Sequence, residues 1–199
     1  MHMCKKILIT GFEPFGGETI NPSWEAVQRL PDEIGSYRLT KLQIPVEYEK
    51  AADLVAERAS FCKADVILCV GQAGGRSGVT PEAIGINLRD ATAPDNAGLL
   101  QQNIPVIPGG PAAYFATAPV RDMVKAIQAE NISASLSLSA GAYVCNDVLY
   151  TLLHRYHGTN TKVGFIHVPY LPEQAKEGVP SLSLEKIVSA LTAAISAMK

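Results

Sequence analysis

"DVILCV", residues 65–70, is the stretch on which the fold turns. Its apolar run has no polar residue at alternate positions, so it reads as a strand buried on both faces, the kind found in parallel sheets covered by helices. Upstream, "YEKAADLVAERASFC" (48–62) repeats apolar or small residues at spacings of three and four and predicts a helix. "KKILIT" (5–10), "YRLTKLQI" (37–44) and "KVGFIHV" (162–168) read as further strands, and "SWEAVQRL" (23–30), "VRDMVKAIQAE" (120–130) and "SLEKIVSALTAAISAM" (183–198) as helices. "AIGINL" (83–88) and "ISASLSL" (132–138) alternate, which predicts strands; Ile132, Ala134, Leu136 and Leu138 share one face of the second. After "GAYVCN" (141–146), Val148, Leu149, Leu152, Leu153 and Tyr156 line one side of a helix, with Gly158 as its expected C-cap. Strands alternating with helices predict an α/β fold: a three-layer α/β/α sandwich around a largely parallel, twisted mixed sheet, with room for an antiparallel edge strand.

At 199 residues and 47% hydrophobic content, the chain can bury one sizeable core, and a single domain over 1–199 is expected. Seventeen Lys and Arg against nineteen Asp and Glu, interleaved, give a net charge of −2 and offer no basic stripe to nucleic acid. No apolar run is long enough to cross a bilayer, and "MHMCKKILIT" lacks the apolar core and cleavage site of a secretory signal. The expectation is a cytoplasmic protein without membrane partners. "MHM", with His2, is set aside as a disordered cloning remnant. Cys4, Cys62, Cys69 and Cys145 have no CxxC spacing, so they read as reduced thiols, and no metal is expected.

Open α/β sheets place their sites at the carboxyl ends of strands. "GFEPFGG" (11–17), "GQAGGRSG" (71–78), "SAGAYVCN" (139–146) and His167 all fall at such ends. The first two are glycine-rich, yet neither has the Lys-Ser/Thr of a P-loop nor the G-x-G-x-x-G spacing of a dinucleotide site, so no nucleotide cofactor is expected. Their glycines read as turn residues.

Cys145 follows a glycine at a helix start, where free N–H groups and the helix dipole favour a thiolate nucleophile. Free cysteine also packs as a small hydrophobe, which is the reading for Cys4, Cys62 and Cys69, and the pattern leaves Cys145 between the two. A nucleophilic cysteine needs a base, and His167 ends a strand at the same rim, whereas His154 and His157 sit near a helix C-terminus. Glu82 in "TPEAIGINL" is the candidate to orient the imidazole; Thr80-Pro81-Glu82 also fits a helix start, but the alternation of Ile84, Ile86 and Leu88 favours a strand.

"ILITGFEPFGGETINPSWEAV", "GQAGGRSGVTPEAIGIN", "PDNAG", "SAGAYVCN" and "FIHVPYLPEQ", in order along nearly the whole chain, resemble the pyroglutamyl peptidase type I family, also called pyrrolidone carboxyl peptidase. The resemblance implies a cofactor-free cysteine exopeptidase that removes an N-terminal pyroglutamate from peptides, with Cys145, His167 and Glu82 as its catalytic residues. It places Phe12, Phe15, Gln72, Thr92, Ala93 and Val144 at the substrate pocket and implies a homo-oligomer, dimeric or tetrameric. The chain departs from the family pattern at Ala83 and Thr92, where arginine is usual, at Ala93, where a larger apolar residue is usual, and at Leu138, where asparagine is common. These departures put substrate fit in question. A cysteine-dependent amidase or acyl hydrolase with another small substrate, and a non-catalytic α/β binding protein, are the alternatives.

Overall fold

Residues 66–72 form a strand, β4 (Val66–Gln72), buried from Val66 through Gly71 and flanked on both sides within a six-stranded sheet. The structure, a computed structural model, describes residues 4–198; residues 1–3, His2 among them, and Lys199 lie outside the described residues. The other strands of the sheet are β1 (Lys5–Phe12), β2 (Glu33–Ile34), β3 (Tyr37–Ile44), β5 (Thr80–Pro81) and β8 (Lys162–Val168), in the order β2-β3-β1-β4-β8-β5. The four long strands β3, β1, β4 and β8 are mutually parallel. Both edges are antiparallel: β2 pairs with β3, and β5 pairs with β8.

Helices fill both faces, and for that reason the central strands carry no polar alternation. On one side α1 (Pro22–Arg29), α3 (Val120–Ala129) and α5 (Leu184–Ser196) bury Val27, Met123, Ile127, Ile187 and Leu191 against Ile7, Ile9, Leu68, Val70 and Ile166. On the other, α2 (Lys50–Cys62) and α4 (Val144–Arg155) bury Val55, Val148, Leu149 and Leu152 against Leu8, Ile67, Cys69, Val163 and Phe165. Each such side chain contributes roughly 1.5–3 kcal/mol on full burial. Local signals agree with the long-range ones. Asn21 Oδ1 accepts from Ser23 N at 3.1 Å ahead of Pro22 in the first turn of α1, and Ser183 caps α5 by accepting from Lys186 N.

Three expectations are revised. The alternating segment 132–138 does not form a full strand. It runs parallel beside β5 through Val79 N to Ser133 O (2.9 Å) and Ser137 N to Pro81 O (2.9 Å), making two isolated bridges. Serine chemistry then curls it away: Ser137 Oγ donates to Ser139 O (3.1 Å), and Ser139 Oγ accepts from Gly141 N (3.2 Å). The 83–88 segment shortens to β6 (Ile84–Ile86) and leaves the main sheet to pair antiparallel with β7 (Ala113–Phe115). Gly158, at φ 74°, lies beyond the end of α4, where Tyr156 takes the cap position.

Candidate active site

Gly141, at φ 78°, turns the chain, Tyr143 is extended, and α4 begins at Val144, so Cys145 falls in the first helical turn. Tyr143 provides no side-chain cap, which leaves the first-turn N–H groups available to an incoming acceptor. The residues just after the cysteine fasten this helix start. Asn146 Oδ1 accepts from Ile86 N (2.9 Å) while its Nδ2 donates to Ile86 O (2.9 Å) and Leu88 O (3.0 Å). Asp147, fully buried, accepts from Arg89 Nε (2.7 Å) and Glu49 N (3.1 Å), and Arg89 also reaches Glu49 Oε1 (3.0 Å). Arg89 is thereby committed to the scaffold and is not free to replace an arginine at position 92.

The sulfur meets the sheet over Gly71. A Cβ built on Gly71 would lie 2.8 Å from the Phe165 ring and 3.0 Å from Cys145 Sγ, so only glycine leaves the sulfur room. Gly71 is the register partner of His167, and Phe165 shares the His167 face two residues earlier. Cys145 Sγ and the imidazole thus lie over the same face of adjacent strands. On the other side of β8, Thr80 stands opposite His167, and Glu82 N donates to Phe165 O (2.9 Å), which brings the Glu82 side chain to the histidine. His167 Nδ1 and Glu82 Oε1 are 2.7 Å apart, both buried. With Nδ1–H donating to the carboxylate, Nε2 is the accepting nitrogen.

Burial works to raise the Glu82 carboxyl, but His167 first, then Ser137 and Arg76, hold it below the ordinary carboxylate value. Burial lowers His167; Glu82 pulls it upward, Arg76 lowers it again, and the net direction is down. Cys145 is pushed up to about 12 by burial and then by the charge of Glu82. The helix start favours a thiolate, whereas desolvation of the sulfur of this half-buried residue, with Glu82 facing it, favours the thiol. Cys69, also pushed up to about 12 by burial, is core; Cys62 is half-buried at the end of α2 and Cys4 is exposed.

The remaining candidates divide among three places. Phe12 is buried with its ring 6.3 Å from that of Phe165, and Val144 is buried beneath the helix start. Phe15, Thr92 and Ala93 line a cleft of about 340 Å³ with Tyr143, whose ring lies 6.4 Å from that of Phe15. Gln72 ends β4, and its Oε1 accepts from Gln174 Nε2 at 3.2 Å. Two contributors take places that the sequence reading did not give them: Tyr143, which donates to Pro94 O (3.0 Å), and Arg76, which donates to Glu82 Oε1 at 2.7 Å. Among the described residues no group of three or more His, Cys, Asp or Glu is arranged to hold a metal ion, and no helix is long and apolar enough to cross a membrane.

A cysteine beside a buried histidine–glutamate pair, on the carboxyl rim of an α/β/α sandwich, is the equipment of a cysteine hydrolase. The sequence pattern of the pyroglutamyl peptidase family matches residues 5–199, and the chain belongs to that family. The pyrrolidone-carboxylate peptidase of Thermococcus onnurineus is 50% identical over 188 residues, covering 93% of this chain and 94% of its own. That of Levilactobacillus brevis is 48% identical over 197 residues, 97% of each chain. The crystal structure of pyroglutamyl peptidase I from Bacillus amyloliquefaciens superposes with a TM-score of 0.94 at 43% identity, covering 98% of this chain and 96% of that one.

Proposed function

We propose that this protein is a cysteine exopeptidase that hydrolyses the amide bond after an N-terminal pyroglutamate, its machinery carried by one domain over residues 1–199. The observation that carries the reading is the 2.7 Å contact of His167 Nδ1 with Glu82 on the sheet face where Cys145 Sγ rests over Gly71. Starting from thiol and neutral imidazole, His167 Nε2 takes the sulfur's proton as Sγ attacks the pyroglutamyl carbonyl. The negative charge that develops on the carbonyl oxygen is met by first-turn N–H groups of α4, Cys145 N–H among them. The imidazolium, stabilised by Glu82, returns its proton to the departing amine as the C–N bond breaks. A water, deprotonated by the same nitrogen, then cleaves the thioester, releasing pyroglutamate and restoring the thiol.

An uncharged lactam asks for apolar walls with few polar groups. Phe15 supplies apolar wall, packed against the core cluster that holds Phe12 and Val144, and Gln72 a polar group. Thr92 and Ala93 leave their side of the cleft short and uncharged. That same feature favours the second reading, an amidase acting on another small acyl group. A chromogenic pyroglutamyl amide, assayed beside prolyl and alanyl amides before and after iodoacetamide, separates the two: cleavage confined to the pyroglutamyl amide and lost on alkylation supports the first.

We further infer a homo-oligomer, dimeric or tetrameric. Support comes from the apolar groove by Ala83 and Leu136, where Phe115 and Leu138 are 75% and 71% exposed, and light scattering tests it. A cytoplasmic location fits four unpaired cysteines, one of them a nucleophile.

A further inference from the structure

The glycine-rich loop "GQAGGRSG" lacks the spacing of a nucleotide site, and beyond Gly71 and Gln72 at its start none of the steps above uses it. Its shape is nonetheless tightly imposed. A Cβ on Gly74 would lie 2.1 Å from the Tyr170 ring, and one on Gly78 would lie 2.5 Å from Ser133 O, so the loop is pressed between the segment after β8 and the segment beside β5. What this shape delivers is Arg76. Its Nη1 donates to Glu82 Oε1 at 2.7 Å and to Thr80 Oγ1, and its Nη2 donates to Ser139 O at 3.1 Å. Arg76 therefore touches β5 just before Glu82, the carboxylate itself and the chain leading into Cys145. It meets the same carboxylate oxygen as His167.

We propose that Arg76 is a positioning residue that clamps the Glu82 carboxylate in the orientation His167 needs and, as a fixed cation, keeps the Glu82–His167 pair from taking up a further proton. The charged and titratable groups facing the pair are Arg76 from the loop and Cys145 from α4, with Cys69 of β4 beyond it. Burial pushes both thiols up to about 12, toward the uncharged form, which leaves Arg76 as the fixed charge among them. Arg76 is, among the described residues, the cation paired with Glu82 besides His167 itself. A buried carboxylate beside an imidazole shares its titration with it, and the added proton belongs to the pair. Removing a neighbouring positive charge makes that proton easier to bind, whichever of the two receives it. The direction of the effect is thus independent of how the titration divides between them. A base must be unprotonated to accept the proton of Cys145, so Arg76 extends the working range toward acid.

The inference rests on His167 as the base only for its kinetic consequence; the titration itself can be read without turnover. His167 is followed by NMR of imidazole-labelled protein, assigned with a His167→Gln variant, alongside the pH dependence of kcat/KM on a pyroglutamyl amide. The parent His167 is expected to titrate below the ordinary value of about 6.5. In Arg76→Gln the midpoint should rise by about one pH unit and the acid limb of kcat/KM should move with it, while Arg76→Lys should recover most of the difference. An Arg76→Gln variant whose His167 titrates with the parent overturns the proposal, as does a parent midpoint above that of an ordinary histidine. The second result requires no variant to fold. A chain with no activity on pyroglutamyl amides, but with the His167 midpoint shifted in Arg76→Gln, would overturn the proposed function and leave the role of Arg76 standing.

Discussion

Gly71 and His167 are register partners on adjacent parallel strands, and the space that Gly71 leaves by lacking a side chain is occupied by the sulfur of Cys145. The nucleophile and its base are therefore held in register by the sheet itself. Gly71→Ala puts a methyl group 3.0 Å from Sγ and 2.8 Å from Phe165, both inside ordinary contact distance. Displacing a reacting atom by an ångström costs about 100-fold in rate, and kcat/KM on a pyroglutamyl amide should fall by about that much. A variant as fast as the parent would show that the sulfur works from elsewhere.

His167→Ala should abolish nearly all turnover, because no other described group is in place to accept the thiol proton. Glu82→Gln should leave more, since it retains an acceptor for Nδ1–H while losing the charge that stabilises the imidazolium. Losses of about 100- to 10,000-fold are expected for the histidine variant, measured as kcat, with a smaller loss for the glutamine variant. The reverse order would exchange their roles.

Thr92→Arg should raise kcat/KM on a pyroglutamyl amide. A donor aimed at a developing oxyanion is worth about 2.7–4 kcal/mol, and threonine is too short and uncharged to act as one. Arg89→Ala should act on stability instead, because it strands the fully buried Asp147; losing one partner of such a pair costs about 3–5 kcal/mol. Thermal melting should register the second change and steady-state kinetics the first. A Thr92→Arg enzyme no faster than the parent would refute the oxyanion argument.

His167 is buried and titrates below its ordinary value. The unfolded chain consequently binds this proton first as pH falls below about 6.5. Its contribution to stability is complete above that pH and erodes down to the folded value. Urea unfolding followed from pH 7.5 to 5 should show a decline that flattens in His167→Gln; an unchanged slope would mean that other groups carry the dependence.

Iodoacetamide should modify exposed Cys4 without loss of activity, while inactivation tracks Cys145 alone. Peptide mapping against residual activity decides it, and inactivation that follows Cys62 or Cys69 would remove Cys145 from its role.

The layers of the fold were legible because "DVILCV" and "KVGFIHV" are buried on both faces, and a strand in that position cannot tolerate polar alternation. "ISASLSL" misled for a related reason. Its alternation is real, with Ile132 and Ala134 buried, but its ladder runs only along 79–83 around the two-residue β5, and Ser137 Oγ bonds to Ser139 O where the ladder stops. Cys145, His167 and Glu82 were legible as candidates from their places at strand and helix ends and from the family resemblance. The contact of Arg76 with Glu82 was not legible, because the reach of a long side chain from a glycine-rich loop is not encoded in spacing. The opposing pull on Cys145 was not legible, because a helix start is a local feature, whereas the desolvation of its sulfur and its facing Glu82 depend on segments far apart in sequence.

The desolvation of the sulfur also bears on oxidation. Peroxide attacks thiolates, and low-pKa cysteines are the ones that climb from sulfenic to irreversible sulfinic and sulfonic acids. A nucleophile that desolvation pushes toward the thiol, and that ionises as its proton passes to His167, spends less time in the oxidisable form than a standing thiolate does. The desolvation that favours the thiol thus works against chemical ageing of the sulfur between turnovers.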